Sequence, residues 1–290
     1  MNIMNGIGTA ASSPFAREPL KEIDGIPMFS EVDSYVDNYF KIATDHIQGM
    51  TATRDNPWID EEDWLEMEEG TLGLALKYAR HAGPQGTLRL LDIGVGLGRL
   101  LKKIEAGLAG TKAELHGMDI ALPYLKRARE QGINVVMSRI EDIPYQKGYF
   151  DIVTCTDVLE HVLDLNLCVR NCLSVVKPGG YLIVRVPNRE NLGKYLQRDY
   201  PYEYAHLRAF DCNSLELLFT RIFREKVLEF SSGLYLYSYS LLKYPIPVRG
   251  WDFLHKKLLG LFRKMSRPLH RKLLERVVHS VEINVVVQKR

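Results

Sequence analysis

The most constraining feature of this 290-residue chain is an alternation between short, continuous apolar runs and helix-forming segments in its middle third. Alternation at this spacing predicts β-α-β units and therefore a parallel sheet with helices packed against it. The runs are continuous rather than alternately polar, which is typical of strands covered on both faces. These predicted strands lie at residues 88–93, 114–119, 133–137, 150–155 and 181–186.

The flanking segments predict four parts, the first being an N-terminal arm and helical cap over residues 1–84. Residues 1–28 are weakly patterned and predict a mobile arm or an arm that caps the fold late, whereas 29–56 predict a short helical segment. Asp60 is a good N-cap for a further helix, which Gly83 and Pro84 would end. The second predicted part is a core over 85–233, whose last strand before the insertion ends at residue 230. The third part is an insertion over 234–279, and the fourth is a final core strand over 280–290.

Charge is distributed unevenly along the chain, although its net value is only +2. Residues 241–290 hold 12 Lys and Arg against 3 Asp and Glu, a balance of +9, which leaves −7 for residues 1–240.

The composition is that of an ordinary globular protein and excludes collagen-like, disordered and disulfide-rich classes. The four cysteines do not form a disulfide framework, and the sequence shows neither a signal-peptide pattern nor an apolar stretch long enough to span a membrane. We therefore expect a cytoplasmic protein.

A glycine-rich loop follows the first core strand, with Gly94, Gly96 and Gly98 ahead of a helix. The third glycine of the dinucleotide fingerprint is replaced by Arg99, which argues against a nicotinamide cofactor. Asp92 would repel a pyrophosphate but suits a cationic ligand. Asp119 ends the next strand, where a carboxylate accepts hydrogen bonds from ribose hydroxyls. The pattern predicts S-adenosylmethionine (SAM), an adenosine with a cationic tail.

Residues 88–190 resemble the SAM-binding core of the class I methyltransferases, and most closely the ubiquinone and sugar-type small-molecule branch. The resemblance rests on the glycine loop, on Asp119, and on the segments 138–144, 150–162 and 177–180. It implies an α/β, Rossmann-like, seven-stranded and mostly parallel sheet, with an N-terminal helical cap and a C-terminal insertion. It also implies that SAM is the methyl donor and S-adenosylhomocysteine the product.

The resemblance further implies cofactor roles by position. Asp92, Gly94 and Gly96 would face the methionine part, and Gly98 would complete the loop. Asp119 would hold the ribose and Ile120 would pack on adenine. Ile140 and Glu141 would lie at the adenine edge and Thr156 near the sulfonium. Arg139 is a departure from the family pattern, because branches of the family often have a small residue near this position.

A hydroxyl acceptor needs a base to remove its proton, whereas an amine acceptor needs little such help. His206 is the candidate base, and His161 is a second candidate that could instead orient the helix beside the SAM pocket. Substrate-binding candidates are Asn188, Tyr202, Tyr204 and Arg208, and aromatic residues Tyr35, Tyr39, Trp58 and Trp64 could form a lid. No clustered His, Asp and Asn set demands a metal, so no metal is expected.

The basic excess lies mainly in the insertion, where residues 251–265 have apolar side chains at helical spacing opposite a basic face. This pattern fits a helix packed on the body, or an interfacial helix on an anionic membrane surface. Binding of an anionic substrate or of a partner chain stays open as well. No aromatic stacking platform accompanies the basic residues, which argues against nucleic acid as a partner.

We therefore predict a SAM-dependent methyltransferase that acts on a small molecule or a sugar or glycan precursor, most simply on oxygen. Two alternatives stay open at this point. One is N-methylation of a secondary-metabolite amine, and the other is a non-catalytic SAM-binding scaffold. Cofactor binding without turnover would favour the second.

Overall fold

The fold is built on a nine-stranded sheet with the order β1-β2-β5-β4-β3-β6-β7-β9-β8. This computed structural model describes residues 13–51, 58–82, 86–235, 241–243, 253, 257 and 267–290. The strands are β1 (Lys21–Ile23), β2 (Ile26–Met28), β3 (Leu88–Ile93), β4 (Ala113–Asp119), β5 (Asn134–Met137), β6 (Phe150–Thr156), β7 (Val176–Pro187), β8 (Lys226–Ser231) and β9 (Glu282–Gln288).

Helices cover both faces of the sheet, as the continuous apolar strands predict. The described helices are α1 (Ser34–Gly49), α2 (Glu61–Ala82), α3 (Arg99–Gly107), α4 (Leu122–Glu130), α5 (Leu165–Val175), α6 (Cys212–Leu217) and α7 (Arg267–Val277). A π-helical turn, Leu218–Ile222, continues α6. Two apolar clusters form the main core, and their members include Phe150 and Val153 in one and Leu88 and Leu101 in the other.

The core sheet confirms the predicted α/β class and its mostly parallel character. Strands β5, β4, β3, β6 and β7 are parallel neighbours. The last strand, β9, inserts antiparallel between β7 and β8. Because parallel strands all end at one edge, the chain places the loops after β3, β4 and β6 side by side.

The N-terminal segment differs from the mobile arm that the sequence predicts, because it extends the sheet. Strands β1 and β2 form an antiparallel hairpin, and β2 pairs in parallel with β5 through Met28 and Met137. Ile26 and Met28 are fully buried. These two strands raise the predicted seven to nine. Each of them has only three residues, too few for a visible pattern in the sequence.

The C-terminal part is described in pieces. Helix α7 contributes Leu274 to a small apolar cluster with Leu241, Leu242 and Val278. The predicted amphipathic helix 251–265 lies outside the described residues except for Phe253 and Lys257, whose side chains are exposed. No helix within the described ranges is long and apolar enough to cross a membrane.

Candidate active site

A cavity of about 890 Å³ opens where β3, β4 and β6 end. Ligands of open α/β sheets bind at this edge of the sheet. Its lining includes most of the residues that the sequence assigns to the cofactor, namely Asp92, Gly94, Gly96, Asp119, Ile120, Ile140, Glu141 and Thr156. The cavity therefore brings together residues from separate segments of the chain.

The glycine loop shapes one wall of this cavity. Gly94, Gly96 and Gly98 all have positive φ, at 75°, 50° and 81°. A Cβ atom at Gly96 would meet no other atom within 4 Å, so the backbone leaves open space for a ligand. A Cβ at Gly98 would lie 2.5 Å from Cδ1 of Ile133, and this glycine is not part of the cavity lining. Gly98 thus completes the loop by packing close to Ile133, and its assignment to the cofactor site stays a prediction.

Asp119 is held in place by the backbone around it. Its two carboxylate oxygens accept hydrogen bonds from the amides of Gly96, at 3.0 Å, and Ala121, at 2.8 Å. Burial raises the pKa of Asp119 to about 6, against these stabilising amides. The carboxylate is therefore anchored at the carboxyl end of β4 before any ligand arrives.

Asp92 is almost fully buried at the end of β3. Its carboxylate accepts a hydrogen bond of 2.6 Å from the hydroxyl of Thr154 on β6. Burial raises the pKa of Asp92 to about 7, which the hydrogen bond and nearby Arg185 oppose. A cationic ligand group beside Asp92 would favour the ionised form.

Two histidine rings meet at the other end of the cavity. The rings of His161 and His206 are edge to face, with centroids 4.4 Å apart. Nδ1 of His161 lies 3.4 Å from the carbonyl oxygen of Ala205, and Nδ1 of His206 contacts the carboxylate of Glu190 closely. Both acceptors lack a hydrogen, so Nδ1 is the donor in each ring, and in a neutral ring Nε2 is then the nitrogen with the lone pair.

The charges of these groups follow from their surroundings. Burial, reinforced by His206, lowers the pKa of His161 to about 3, so its ring is neutral. Burial raises the pKa of Glu190, but hydrogen bonds from His206, Lys194 and Tyr195 outweigh it and bring the pKa to about 2. The pair of Glu190 and His206 therefore joins an ionised carboxylate to an imidazole.

Glu160 lies next to the histidines and is fully buried. Neither of its carboxylate oxygens has a hydrogen-bond partner among the described residues. Burial raises its pKa well above the usual value, and the neighbouring carboxylate of Asp157 adds to this effect. A buried carboxylate without a hydrogen-bond partner lowers the stability of the fold unless a ligand supplies that partner.

Of the four predicted substrate-binding residues, the structure places only Tyr202 in the lining of the main cavity. Its hydroxyl donates to Asp45 at 3.2 Å. Tyr204 instead packs its ring against Tyr35, with centroids 5.3 Å apart. The side-chain amide of Asn188 donates to the backbone carbonyl of Ser280 at 3.0 Å. Asn188 lines a separate, smaller cavity.

Arg208 also has a structural role rather than the predicted substrate contact. Its guanidinium donates to the carbonyl oxygens of Leu159, Val162 and Leu163. These carbonyls belong to the turn that carries Glu160 and His161. Arg208 therefore fixes this turn, because a guanidinium has enough donors to satisfy several carbonyls at once.

Aromatic side chains close the cavity from the N-terminal side. Tyr35, Tyr39, Trp58 and Trp64 all belong to its lining. The hydroxyl of Tyr35 donates to the carbonyl of His161 at 3.2 Å, which ties α1 to the histidine turn. The contribution of α1 and α2 to this wall agrees with the lid hypothesis in position.

Several lining residues received no role from the sequence. Glu190, Tyr195 and Tyr200 lie in the segment after β7, and Glu160 and Arg185 lie in or beside the recognised motifs. The signal available for Glu190 was its position just after a strand that ends at the cofactor edge. Arg185 is buried and binds Asp157 at 2.5 Å, a contact that no local pattern indicates.

Comparisons with known proteins agree with this geometry. Residues 91–184 match the family model described as a methyltransferase domain. The ubiquinone biosynthesis O-methyltransferase of Bordetella avium is 36% identical over 140 residues, which are 46% of this chain and 56% of the relative. The chain thus spans about half the length of the curated relatives it matches.

Solved structures share the fold at low sequence identity. A SAM-dependent methyltransferase of Thermotoga maritima, described as a possible histamine N-methyltransferase, has a TM-score of 0.51 at 18% identity, covering 88% of this chain and 100% of that one. Phosphoethanolamine N-methyltransferase 2 of Haemonchus contortus, in complex with SAM, also has a TM-score of 0.51 at 14% identity, covering 89% and 60%.

The fold and the cavity define a Rossmann-like cofactor-binding domain. The match over residues 91–184 identifies this part of the chain further, as a methyltransferase domain.

Proposed function

We propose that this protein methylates a hydroxyl group of a small molecule, with SAM as donor. One observation carries the proposal: a single cavity joins Asp92, Gly96 and Asp119 to a histidine–carboxylate cluster. We define this cluster as Glu160, His161, Glu190 and His206. The cofactor residues and the groups able to manage a proton thus share one space.

The cofactor end fits SAM by its chemistry. Asp119, oriented by two amides, is suited to accept hydrogen bonds from ribose hydroxyls. Asp92 is suited to the cationic methionine part, and the open space at Gly96 admits a ligand close to the backbone. When bound, SAM supplies a methyl group whose bond to sulfur breaks as the bond to the acceptor oxygen forms.

The acceptor end favours an oxygen nucleophile, because a hydroxyl must lose its proton during transfer. Glu190 orients the His206 ring through Nδ1, and His206 is the candidate base that the sequence predicts. The matched relatives are named O-methyltransferases, which supports oxygen over nitrogen. Tyr39, Tyr195 and Tyr200 supply apolar walls that align an acceptor and exclude water.

The test is transfer of tritiated methyl from SAM to a panel of phenolic, sugar and amine acceptors. We expect turnover on a hydroxyl acceptor and a loss of about 100-fold or more in His206→Ala. His81→Ala is the matched control, because His81 is exposed on α2 and outside the cavity lining. Turnover confined to amines, or SAM binding without turnover on any acceptor, would contradict the proposal.

We further propose that the basic C-terminal part makes peripheral contact with an anionic membrane surface. The support is the balance of +9 over residues 241–290 together with the amphipathic pattern of 251–265. Sedimentation with anionic vesicles should carry the full chain down, whereas neutral vesicles and a variant lacking 251–265 should leave it in the supernatant. Equal sedimentation with both vesicle types would contradict this contact.

A further inference from the structure

Glu160, His161 and His206 form a compact set of potential metal ligands within the cavity. One carboxylate oxygen and one ring nitrogen from each histidine lie within 4.8 Å of one another. Nε2 of His161 is 4.0 Å from an oxygen of Glu160. Ligands about 2.1 Å from a tetrahedral metal lie roughly 3.4 Å apart, so modest side-chain movement would close the set around an ion.

The tautomers of both histidines suit metal binding. The Ala205 carbonyl accepts from Nδ1 of His161, and the Glu190 carboxylate accepts from Nδ1 of His206. These contacts leave Nε2 of each ring, in its neutral form, as the nitrogen available to a metal. Metal-binding histidines are characteristically oriented in this way, with the second ring nitrogen donating to a carboxylate or a backbone carbonyl.

The unpartnered carboxylate of Glu160 is an independent indication of a missing cation. It is fully buried, it lines the cavity, and both of its oxygens lack hydrogen-bond partners among the described residues. The carboxylates of Asp92 and Asp157 at this edge have local partners, Thr154 and Arg185 respectively. A cation at Glu160 would provide the partner that these two oxygens lack.

We propose that Glu160, His161 and His206 bind a divalent first-row transition metal such as Zn²⁺, with Glu190 as the positioning residue behind His206. Two imidazoles and one carboxylate are a ligand set suited to such metals, whereas Mg²⁺ prefers oxygen ligands throughout. Three protein ligands leave a coordination position open to the cavity, as in catalytic metal sites.

The use of the metal rests on the proposed function, although the site itself does not. An acceptor hydroxyl at the open position would have its pKa lowered, as a metal-bound water does. The hydroxyl proton would leave to solvent, the methyl–sulfur bond would break and the methyl–oxygen bond would form. With metal present, His206 would then act as a ligand, and the metal would replace the base role of its Nε2.

The test uses the full chain without an affinity tag, stripped of metal, and measures binding without any acceptor. We expect one equivalent of Co²⁺ to give visible absorption bands, and Zn²⁺ to displace it. Glu160→Gln and His206→Gln should each weaken Zn²⁺ binding by about 100-fold or more. Glu190→Gln should weaken it by about 10–100-fold, because Glu190 orients a ligand rather than binding the ion.

Glu282→Gln is the matched control, because Glu282 is a second buried carboxylate without a hydrogen-bond partner among the described residues, and it lines the same cavity outside the ligand set. Its nearest cation is Arg185, at 4.0 Å. It should bind Co²⁺ like the unaltered chain. SAM binding measured by calorimetry on every variant verifies that the fold is retained. Co²⁺ spectra that are unchanged in Glu160→Gln, or absent in the unaltered chain, would overturn the site, and neither result depends on turnover.

Activity then separates the two proposals. If the metal-free protein methylates a hydroxyl acceptor at the full rate, the metal role is wrong while the proposed function stands. If Zn²⁺ binds as expected and no hydroxyl acceptor is methylated, the site stands while the proposed function fails.

Discussion

At the scale of single residues, cofactor recognition depends on carboxylates that the fold buries in advance. Asp119 accepts two backbone amides and Asp92 accepts the hydroxyl of Thr154. These bonds fix the side chains in place, whereas the oxygens still carry further lone pairs for a ligand. Both residues could be identified from sequence, because each lies at the end of a strand, where local pattern and function coincide.

Replacing Asp119 by Asn should weaken SAM binding by about 10–100-fold, since hydrogen bonds to a charged group contribute about 1.5–3 kcal/mol. The amide also places its NH2 group against one of the two backbone N–H groups, that of Gly96 or that of Ala121. Calorimetric titration with SAM measures the effect. Asp24→Asn, at an exposed turn, is the control and should bind normally. An unchanged affinity in Asp119→Asn would exclude ribose recognition by this carboxylate.

SAM affinity should increase by about 10-fold between pH 5.5 and 7.5. The pKa values of about 7 for Asp92 and about 6 for Asp119 mean that both ionise over this range, while the ammonium of SAM stays mainly protonated. Isothermal titration at several pH values measures the slope, which Asp92→Asn should reduce. A flat profile would mean that the ionisation of these two carboxylates does not contribute to SAM binding.

Asp92 and Asp119 give the stability of the ligand-free fold the opposite pH dependence, since it decreases as the pH rises. Their pKa values are higher in the folded state than in the unfolded chain, where a carboxyl ionises near pH 4. The folded state therefore holds more protons, and these groups contribute stability that is lost as the pH rises from about 4 to about 7. Bound SAM should offset this loss, which thermal denaturation with and without SAM would reveal.

At the scale of elements, the glycine loop between β3 and α3 separates a packing position from a binding position. Gly98 approaches α4 and the start of β5, because a Cβ there would lie 3.3 Å from Ala128 and 2.5 Å from Ile133. Gly96 faces open space instead. Sequence spacing alone does not show that Gly98 is a packing position, because the residues it packs against come from a distant segment.

Gly98→Ala should reduce the unfolding free energy by more than the roughly 1–2 kcal/mol that a left-handed backbone costs a residue with a Cβ. Gly96→Ala should lose only about that backbone contribution but bind SAM at least 10-fold more weakly, because its methyl group would enter the ligand space. Chemical denaturation and calorimetry on both variants separate the effects. Equal losses of stability would contradict the distinction.

At the scale of the whole molecule, the N-terminal segment completes both the sheet and the cavity. The hairpin of β1 and β2 extends the sheet beyond β5, while α1 and α2 supply the aromatic wall. Tyr35 connects this wall to the histidine turn. A domain boundary at residue 84 stays a prediction. The hairpin of β1 and β2, which precedes this residue, belongs to the core sheet.

Met28→Ala should destabilise the whole fold by about 2–5 kcal/mol, as expected for a fully buried side chain. Leu20→Ala, at a position with 53% exposure next to the hairpin, should change stability by less than about 0.5 kcal/mol. Thermal and urea denaturation measure both. A Met28→Ala variant as stable as the unaltered chain would restore the interpretation of this segment as a mobile arm.

The sequence by itself determined the features that local physics encodes. Continuous apolar runs predicted the core strands, and the residues at the ends of the first two strands predicted a cationic adenosine ligand. The match of residues 91–184 to a methyltransferase domain agrees with that prediction. Such features are readable because strand period, turn chemistry and strand-end position all act over a few neighbouring residues.

Only the tertiary structure decided which side chains meet. It placed His206 against His161, left Glu160 buried without a hydrogen-bond partner among the described residues, and turned Arg208 toward backbone carbonyls. It also placed Asn188 and Tyr204 outside the lining of the main cavity. The physical reason is that burial and pairing depend on contacts between distant segments, and no local pattern of residues records which segments the fold will bring together.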